Sequence, residues 1–263
     1  CMLSLLKYDS GTIEVFGKKD ISNEYEIKKK IGIVPQELAV FSNLTVKENI
    51  DYFCGLYISN KNERKRLVNE AIEFTGLQSH EKMLEKKLSG GLKRRLNIAC
   101  GISHKPELVI LDEPTVAVDA QSRKFILDGI KNLAENGSSI LYTTHYLDEA
   151  EYLCNKISIM DNGKNILTGD MQTLINGVSV KEKITVVGFI KPEIISILEK
   201  QDEVIDVEAK ENQVTFNYSS DTGNIKKLIY LLDENNVVYE EIFSKKPKLE
   251  DIFLEMTGKE LRE

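Results

Sequence analysis

Asp112 and Glu113 stand side by side at the end of the apolar run Leu108-Val109-Ile110-Leu111. A run this short and this apolar reads as a strand buried on both faces. Open α/β sheets keep their ligands at the carboxyl ends of such strands. One carboxylate held there can reach a Mg²⁺ ion on a nucleotide, while its neighbour polarises an attacking water. A bare Asp-Glu pair is also what a solvated acidic turn looks like, so the surrounding residues must decide.

Upstream lies Leu88-Ser89-Gly90-Gly91-Leu92, followed by Lys93-Arg94-Arg95 and an apolar helical pattern. Ser89 is a good N-cap, and two glycines leave backbone N–H groups uncovered at the positive end of the helix dipole. That combination is an anion site, although a flexible turn has the same letters. Downstream, Asp119 precedes a helical stretch, and His145 follows the strand-like Ile140-Leu141-Tyr142-Thr143-Thr144. Near the start, Ile31-Gly32-Ile33-Val34-Pro35-Gln36 is another short apolar run ending in a polar residue.

In this order and at these spacings, the elements resemble the nucleotide-binding subunits of ATP-binding-cassette (ABC) transporters, from Cys1 to about Gly169. The resemblance implies a P-loop NTPase-type α/β fold with a mainly parallel sheet and a helical subdomain. It implies that Asp112 is the Walker B magnesium ligand, Glu113 the catalytic base, Gln36 the Q-loop glutamine and His145 the switch histidine. Gln36 then contacts both metal and water. Ser89, Gly90 and Gly91 become the signature loop, serving ATP bound to the opposite subunit, with the D-loop residue Asp119 at the same seam. ATP and Mg²⁺ are the implied cofactors. A homodimer, or a heterodimer with a second ATPase subunit, and a separate transmembrane permease are the implied partners. The signature loop usually ends in Gln where this chain has Leu92, which starts an apolar face with Leu96 and Ala99.

Thr45 and Glu48 form a capping box opening a helix towards Tyr57, and Asn60 with Glu63 opens a second helix closed near Gly76. With the helix after Ser89 they make a helical insertion over roughly 43–104, the subdomain that in the family contacts the transmembrane partner. Phe41, Tyr52, Phe53 and Tyr57 are divided between that contact and packing among the helices. A helix over Ala120–Glu135 is expected to bury Phe125, Ile126, Ile130 and Leu133, with a short helix around Leu147–Leu153. Asp161-Asn162-Gly163-Lys164 is a type I′ hairpin signal. The ATPase domain is expected over 1–176 and an accessory domain over 178–263. In the latter, strands at 183–187, 204–209, 213–218 and 237–242 and helices at 192–200 and 224–233 follow the β-α-β-β-α-β order of a small α+β ferredoxin-like unit. Its ending, Leu249-Glu250-Asp251-Ile252-Phe253-Leu254-Glu255-Met256-Thr257-Gly258, resembles exporters of the ABC-2 class.

A net charge of −7 argues against a nonspecific nucleic-acid binder, which needs a basic face. Lys28-Lys29-Lys30 and Arg64-Lys65-Arg66 read as solvated helix faces. No apolar run is long enough to span a bilayer, so membrane attachment is expected through the permease, with the subunit cytoplasmic. Cys1, Cys54, Cys100 and Cys154 lack metal-ligand spacing and read as buried free thiols.

No Gly-x-x-x-x-Gly-Lys-Ser/Thr occurs in the sequence. The resemblance places that loop just before a helix, here expected at 1–6, with Thr12-Ile13-Glu14-Val15 as the next strand. A start inside that helix, at Cys rather than Met, reads as truncation before or within the Walker A region. The leading function is then an ATP-hydrolysing export subunit, and the alternative a catalytically inactive binding or regulatory module. Without the phosphate cradle, the polypeptide as given is expected to bind ATP weakly. Equilibrium dialysis against labelled ATP checks this, and micromolar affinity would contradict it.

Overall fold

Three short apolar runs pair as a parallel sheet in the computed structural model, which describes residues 1–19 and 21–258. The chain divides into two units, Cys1–Tyr146 and one beginning at Leu147. In the first, helix α1 (Tyr25–Lys28) leads into strand β1 (Ile31–Val34). Helices α2 (Val46–Gly55), α3 (Lys61–Phe74) and α4 (Gly90–Ile102) precede β2 (Leu108–Asp112), followed by α5 (Ala120–Glu135) and β3 (Ser139–Thr143). The strand order is β1-β2-β3, with Val34 opposite Leu111 and Asp112 opposite Thr143. Parallel neighbours need long crossovers, and the helices supply them. Val109 and Leu111 of β2 are fully buried, but Leu108 and Ile110 are only partly covered, by the cluster of Val15, Ile21, Ile27 and Ile31. The strand therefore alternates rather than being sealed on both faces.

The capping signals act as expected. Thr45 N donates to Glu48 Oε2 at 2.8 Å and Glu48 N donates to Thr45 Oγ1 at 3.2 Å. Asn60 Oδ1 accepts from the amides of Asn62 and Glu63 at 3.0 and 3.1 Å. Ile50, Cys54, Val68, Ile72, Leu77 and Leu96 then pack the three helices on one another.

Helix α4 also lies unusually close to β1. A methyl on Gly32 would overlap the Gly101 carbonyl oxygen and stand 2.6 Å from Pro106 Cγ; one on Gly101 would stand 2.7 Å from the Ile33 carbonyl oxygen. Where backbone meets backbone, only glycine fits. At the end of the helix, the buried His104 places Nε2 3.2 Å from the Ile31 carbonyl and stacks on Tyr57 with centroids 3.9 Å apart.

Five expectations are corrected. Residues 1–6 form turns rather than a helix, with Leu5 and Leu6 exposed and Ser4 at φ 57°, and 12–15 contribute only the isolated bridge Val15–Lys18. So short a helix does not repay its nucleation without a docked apolar face. Phe125 is partly exposed, its ring covered instead by the Arg95 guanidinium at 3.9 Å. Cys1 is exposed, whereas Cys54 and Cys100 are buried. The last strand starts later than expected because Asn236, at φ 51°, turns the chain and residues 237–240 are spent reaching the sheet.

In the second unit, α6 (Leu147–Leu153), β4 (Ile157–Asp161), β5 (Lys164–Gly169) and α7 (Met171–Asn176) come first. Asn162 at φ 48° and Gly163 at φ 73° make the turn of the β4–β5 hairpin. Next come β6 (Glu182–Val187), α8 (Pro192–Leu198), β7 (Val204–Lys210), β8 (Gln213–Tyr218), α9 (Asn224–Glu234), β9 (Glu241–Lys245) and α10 (Leu249–Thr257). Strands β6–β9 form an antiparallel sheet in the order β7-β8-β6-β9, around a core of Ile184, Val186, Phe216, Leu228 and Leu232. Leu249 and Ile252 of α10 share a separate core with Ile157, Ile159 and Leu174. The expected division at 176–178 thus falls within this unit.

Replacing Gly32 with alanine forces α4 off β1. The expected loss is about 1–3 kcal/mol of unfolding free energy, read as a lower urea midpoint.

Candidate functional site

The carboxyl ends of β1, β2 and β3 bring four of the expected residues together. Gln36 follows β1 through Pro35, Asp112 ends β2, and His145 lies just past β3. Glu113 is still tied to the sheet, its amide donating to the Thr143 carbonyl at 3.1 Å. There its backbone turns to φ 44°, a left-handed conformation that costs a non-glycine residue about 1–3 kcal/mol. Gln36 Nε2 donates to Glu113 Oε2 at 3.4 Å, and His145 Nδ1 lies 3.1 Å from the same oxygen. The Glu113 side chain is 26% exposed and the His145 side chain 54% exposed, so the cluster is open to a ligand. Asp112, exposed at the strand tip, accepts a hydrogen bond from the Thr143 hydroxyl. Beside His145, the Arg123 guanidinium lies 4.6 Å from the Tyr146 ring centroid, and Tyr146 N donates to Thr144 Oγ1 at 2.9 Å.

The other expected residues form a second cluster. Ser89 caps α4, its Oγ accepting from Leu92 N at 3.4 Å. Asp119 caps α5, accepting from Ser122 N at 2.9 Å, and these hydrogen bonds from Ser122 hold its carboxyl below the usual range. The helix starts touch: a methyl on Gly91 would overlap Ser122 Oγ and stand 3.1 Å from the Asp119 carboxylate. Gly90 is exposed and Gly91 buried against Ser122, so the exposed backbone at Gly90 and the dipole of α4 are what this end could offer an anion.

Sequence reasoning missed the residues that hold these parts in place. Arg94 Nη1 donates to the Gln36 carbonyl at 2.6 Å. Asn97 Nδ2 donates to the Pro35 carbonyl at 3.1 Å, and its Oδ1 accepts from Ala39 N at 3.1 Å. Both side chains are buried. The available signal was two polar residues three apart on the otherwise apolar face of α4. In the sequence Thr143 is only part of a strand, and Gly32 and Gly101 carry no visible signal of a close approach.

A parallel sheet with an acid pair at its carboxyl end, a glutamine and a histidine converging on the second acid, and a Ser-Gly-Gly helix start define an ABC-type ATPase. The ABC transporter family matches residues 1–116. A linearmycin resistance ATP-binding protein of Bacillus subtilis (strain 168) is 37% identical over 265 residues, covering 98% of this chain and 84% of its own length. A Nod factor export ATP-binding protein I of Sinorhizobium fredii (strain NBRC 101917 / NGR234) is 29% identical over 262 residues, covering 100% of this chain and 74% of its own. Among solved structures, cbiO1 of Clostridium perfringens, part of an ABC transporter complex, superposes with a TM-score of 0.58 at 27% identity, covering 68% of this chain and 75% of its own. An ATP-binding subunit of an ABC transporter shares the fold at TM-score 0.60 and 22% identity, covering 67% and 73% of the two chains. This chain belongs to the ATP-binding proteins of the ABC transporter family.

Proposed function

We propose that this subunit hydrolyses ATP to drive export through a separate transmembrane permease, and that the residues around Glu113 perform the chemistry. The observation that carries the reading is the convergence of Gln36 and His145 on Glu113 Oε2 at the ends of parallel strands. Export is supported by two relatives, a linearmycin resistance ATP-binding protein and a Nod factor export ATP-binding protein. Among the described residues no helix is long and apolar enough to cross a membrane. A place at the cytoplasmic face, held there by the permease, is part of the proposal.

In this reading Glu113 orients the attacking water and takes its proton, while Gln36 fixes the water's position from one side. His145 steadies the carboxylate through Nδ1; when protonated, it also has an N–H at Nε2 for a terminal phosphate oxygen. Asp112 and Gln36 offer the carboxylate and amide oxygens that suit Mg²⁺, and the Thr143 hydroxyl orients the Asp112 carboxylate as an outer partner would. A bound Mg²⁺ supplies charge neutralisation at the phosphates. Ser89, Gly90, Gly91 and Asp119 are assigned to ATP on the opposite subunit of a homodimer, or of a heterodimer with a second ATPase subunit. Residues 178–263 are assigned a regulatory or dimer-stabilising role, and no role in binding nucleic acid is assigned to the chain. The alternative is an inactive binding or regulatory module.

Two variants of the full-length protein test the assignment. Glu113→Gln should keep ATP affinity while lowering kcat by about 100-fold or more; unchanged phosphate release would refute the base role and favour the second reading. Asp112→Asn should weaken binding only when Mg²⁺ is present, so titrations of labelled ATP with Mg²⁺ and with EDTA should differ far less than for the unmodified protein.

A further inference from the structure

We infer that Arg94, seconded by Asn97, is a positioning residue that couples the Ser89–Gly91 helix start to Gln36, an inference that rests on the reading of the Glu113 site given above. Both residues lie on α4, within about two and a half turns of Ser89. At 1.5 Å per residue, Arg94 sits about 7–8 Å along the axis from the Ser89 cap. Their side chains hold backbone atoms of Pro35, Gln36 and Ala39 by three hydrogen bonds of 2.6–3.1 Å. The loop bearing Gln36 is thereby clamped to the same rigid helix that presents Ser89, Gly90 and Gly91.

Further along, Gly101 packs on the backbone of β1, the strand that runs into this loop. Helix, strand and loop are therefore fastened at two separate points. Displacing α4 at its glycine end must displace the Gln36 carbonyl as well. The residue used as the clamp also matters. Asn97 shows that a neutral amide is enough to hold this backbone, yet Arg94 is a buried cation with no carboxylate partner among the described residues. Burial pushes its pKa down, so the charge is kept against a desolvation penalty. What the guanidinium adds is a positive, rigid fork behind the loop whose glutamine touches Glu113. Nucleotide held at Ser89–Gly91 and water held by Gln36 and Glu113 are thus linked through the side chains of Arg94 and Asn97.

The test is a double-mutant cycle in the full-length protein with its permease, following ATP turnover. Misplacing a positioning group by about 1 Å costs about 100-fold in rate, so Arg94→Met should lower kcat at least about tenfold with the KM for ATP held within about threefold. In a Gln36→Ala background the same change should cost less than about twofold, because the group Arg94 acts through is gone. Equal losses in both backgrounds, or a kcat for Arg94→Met within about twofold of the unmodified protein, would overturn the coupling. If Arg94→Met shows no cooperative unfolding transition, Arg94→Lys, which keeps the charge but loses the fork, enters the same cycle under the same criteria. Glu113→Gln runs alongside. Full turnover in that variant would sink the site reading itself, whereas its loss together with an additive Arg94 cycle would sink only the coupling.

Discussion

Helix α4 can lie on β1 only because neither Gly32 nor Gly101 carries a side chain at the crossing. That approach brings Arg94 and Asn97 within hydrogen-bonding reach of the loop leaving β1. It also fixes where the helix begins, and with it the position of the Ser89 cap against α5. A helix one methyl group further from the strand would lose the clamp on Gln36 before it lost its apolar contacts with α2 and α3. Backbone-to-backbone packing is stiff because no side chain is there to change rotamer.

Against that rigid frame, the reacting end of the sheet is electrostatically unbalanced. Asp112 and Glu113 place two carboxylates at one strand tip, in a chain already carrying a net charge of −7. Local donors offset this: the Thr143 hydroxyl for Asp112, and the Gln36 amide and His145 ring for Glu113. The left-handed turn at Glu113 separates the adjacent acids, giving the first a hydroxyl partner on β3 and the second a pair of nitrogen donors. Adjacent residues of identical chemistry thus acquire different partners through backbone geometry. A polyanionic ligand approaching such a tip needs cationic or N–H help to offset these charges.

The second unit uses ordinary means to similar rigidity. The β4–β5 hairpin is set by Asn162-Gly163, and the four-stranded sheet buries Phe216 and Ile184 beneath α8 and α9. One of its buried carboxylates, Glu182, accepts from Asn224 Nδ2 at 2.8 Å and from the Ser244 hydroxyl, joining α9 and β9 to β6. Tyr218, pushed up to about 12 chiefly by burial and further by the Glu182 and Glu203 carboxylates, stays neutral in that core.

Much of this was legible in the residues alone, wherever the signal is local. Thr45 and Glu48 announce a helix start, Asn162-Gly163 a hairpin, and the apolar run before Asp112 a strand, since each depends on neighbours in the chain. The family resemblance of the motifs in their order implies that Gln36, Glu113 and His145 belong together, and their side chains do meet. Residues 1–6 and Phe125 misled because a helix, or an apolar side chain, needs a partner surface that no local pattern guarantees. The triplet Lys93-Arg94-Arg95 shows the limit most plainly. Successive helical residues point about 100° apart, so Lys93 pairs with Glu85 at 2.9 Å, Arg94 grips the Gln36 carbonyl and Arg95 covers Phe125. Chemical type and spacing belong to the chain itself; which of three like charges meets which distant group was settled by packing, because only the folded backbone brings residues 36, 85 and 125 to that helix.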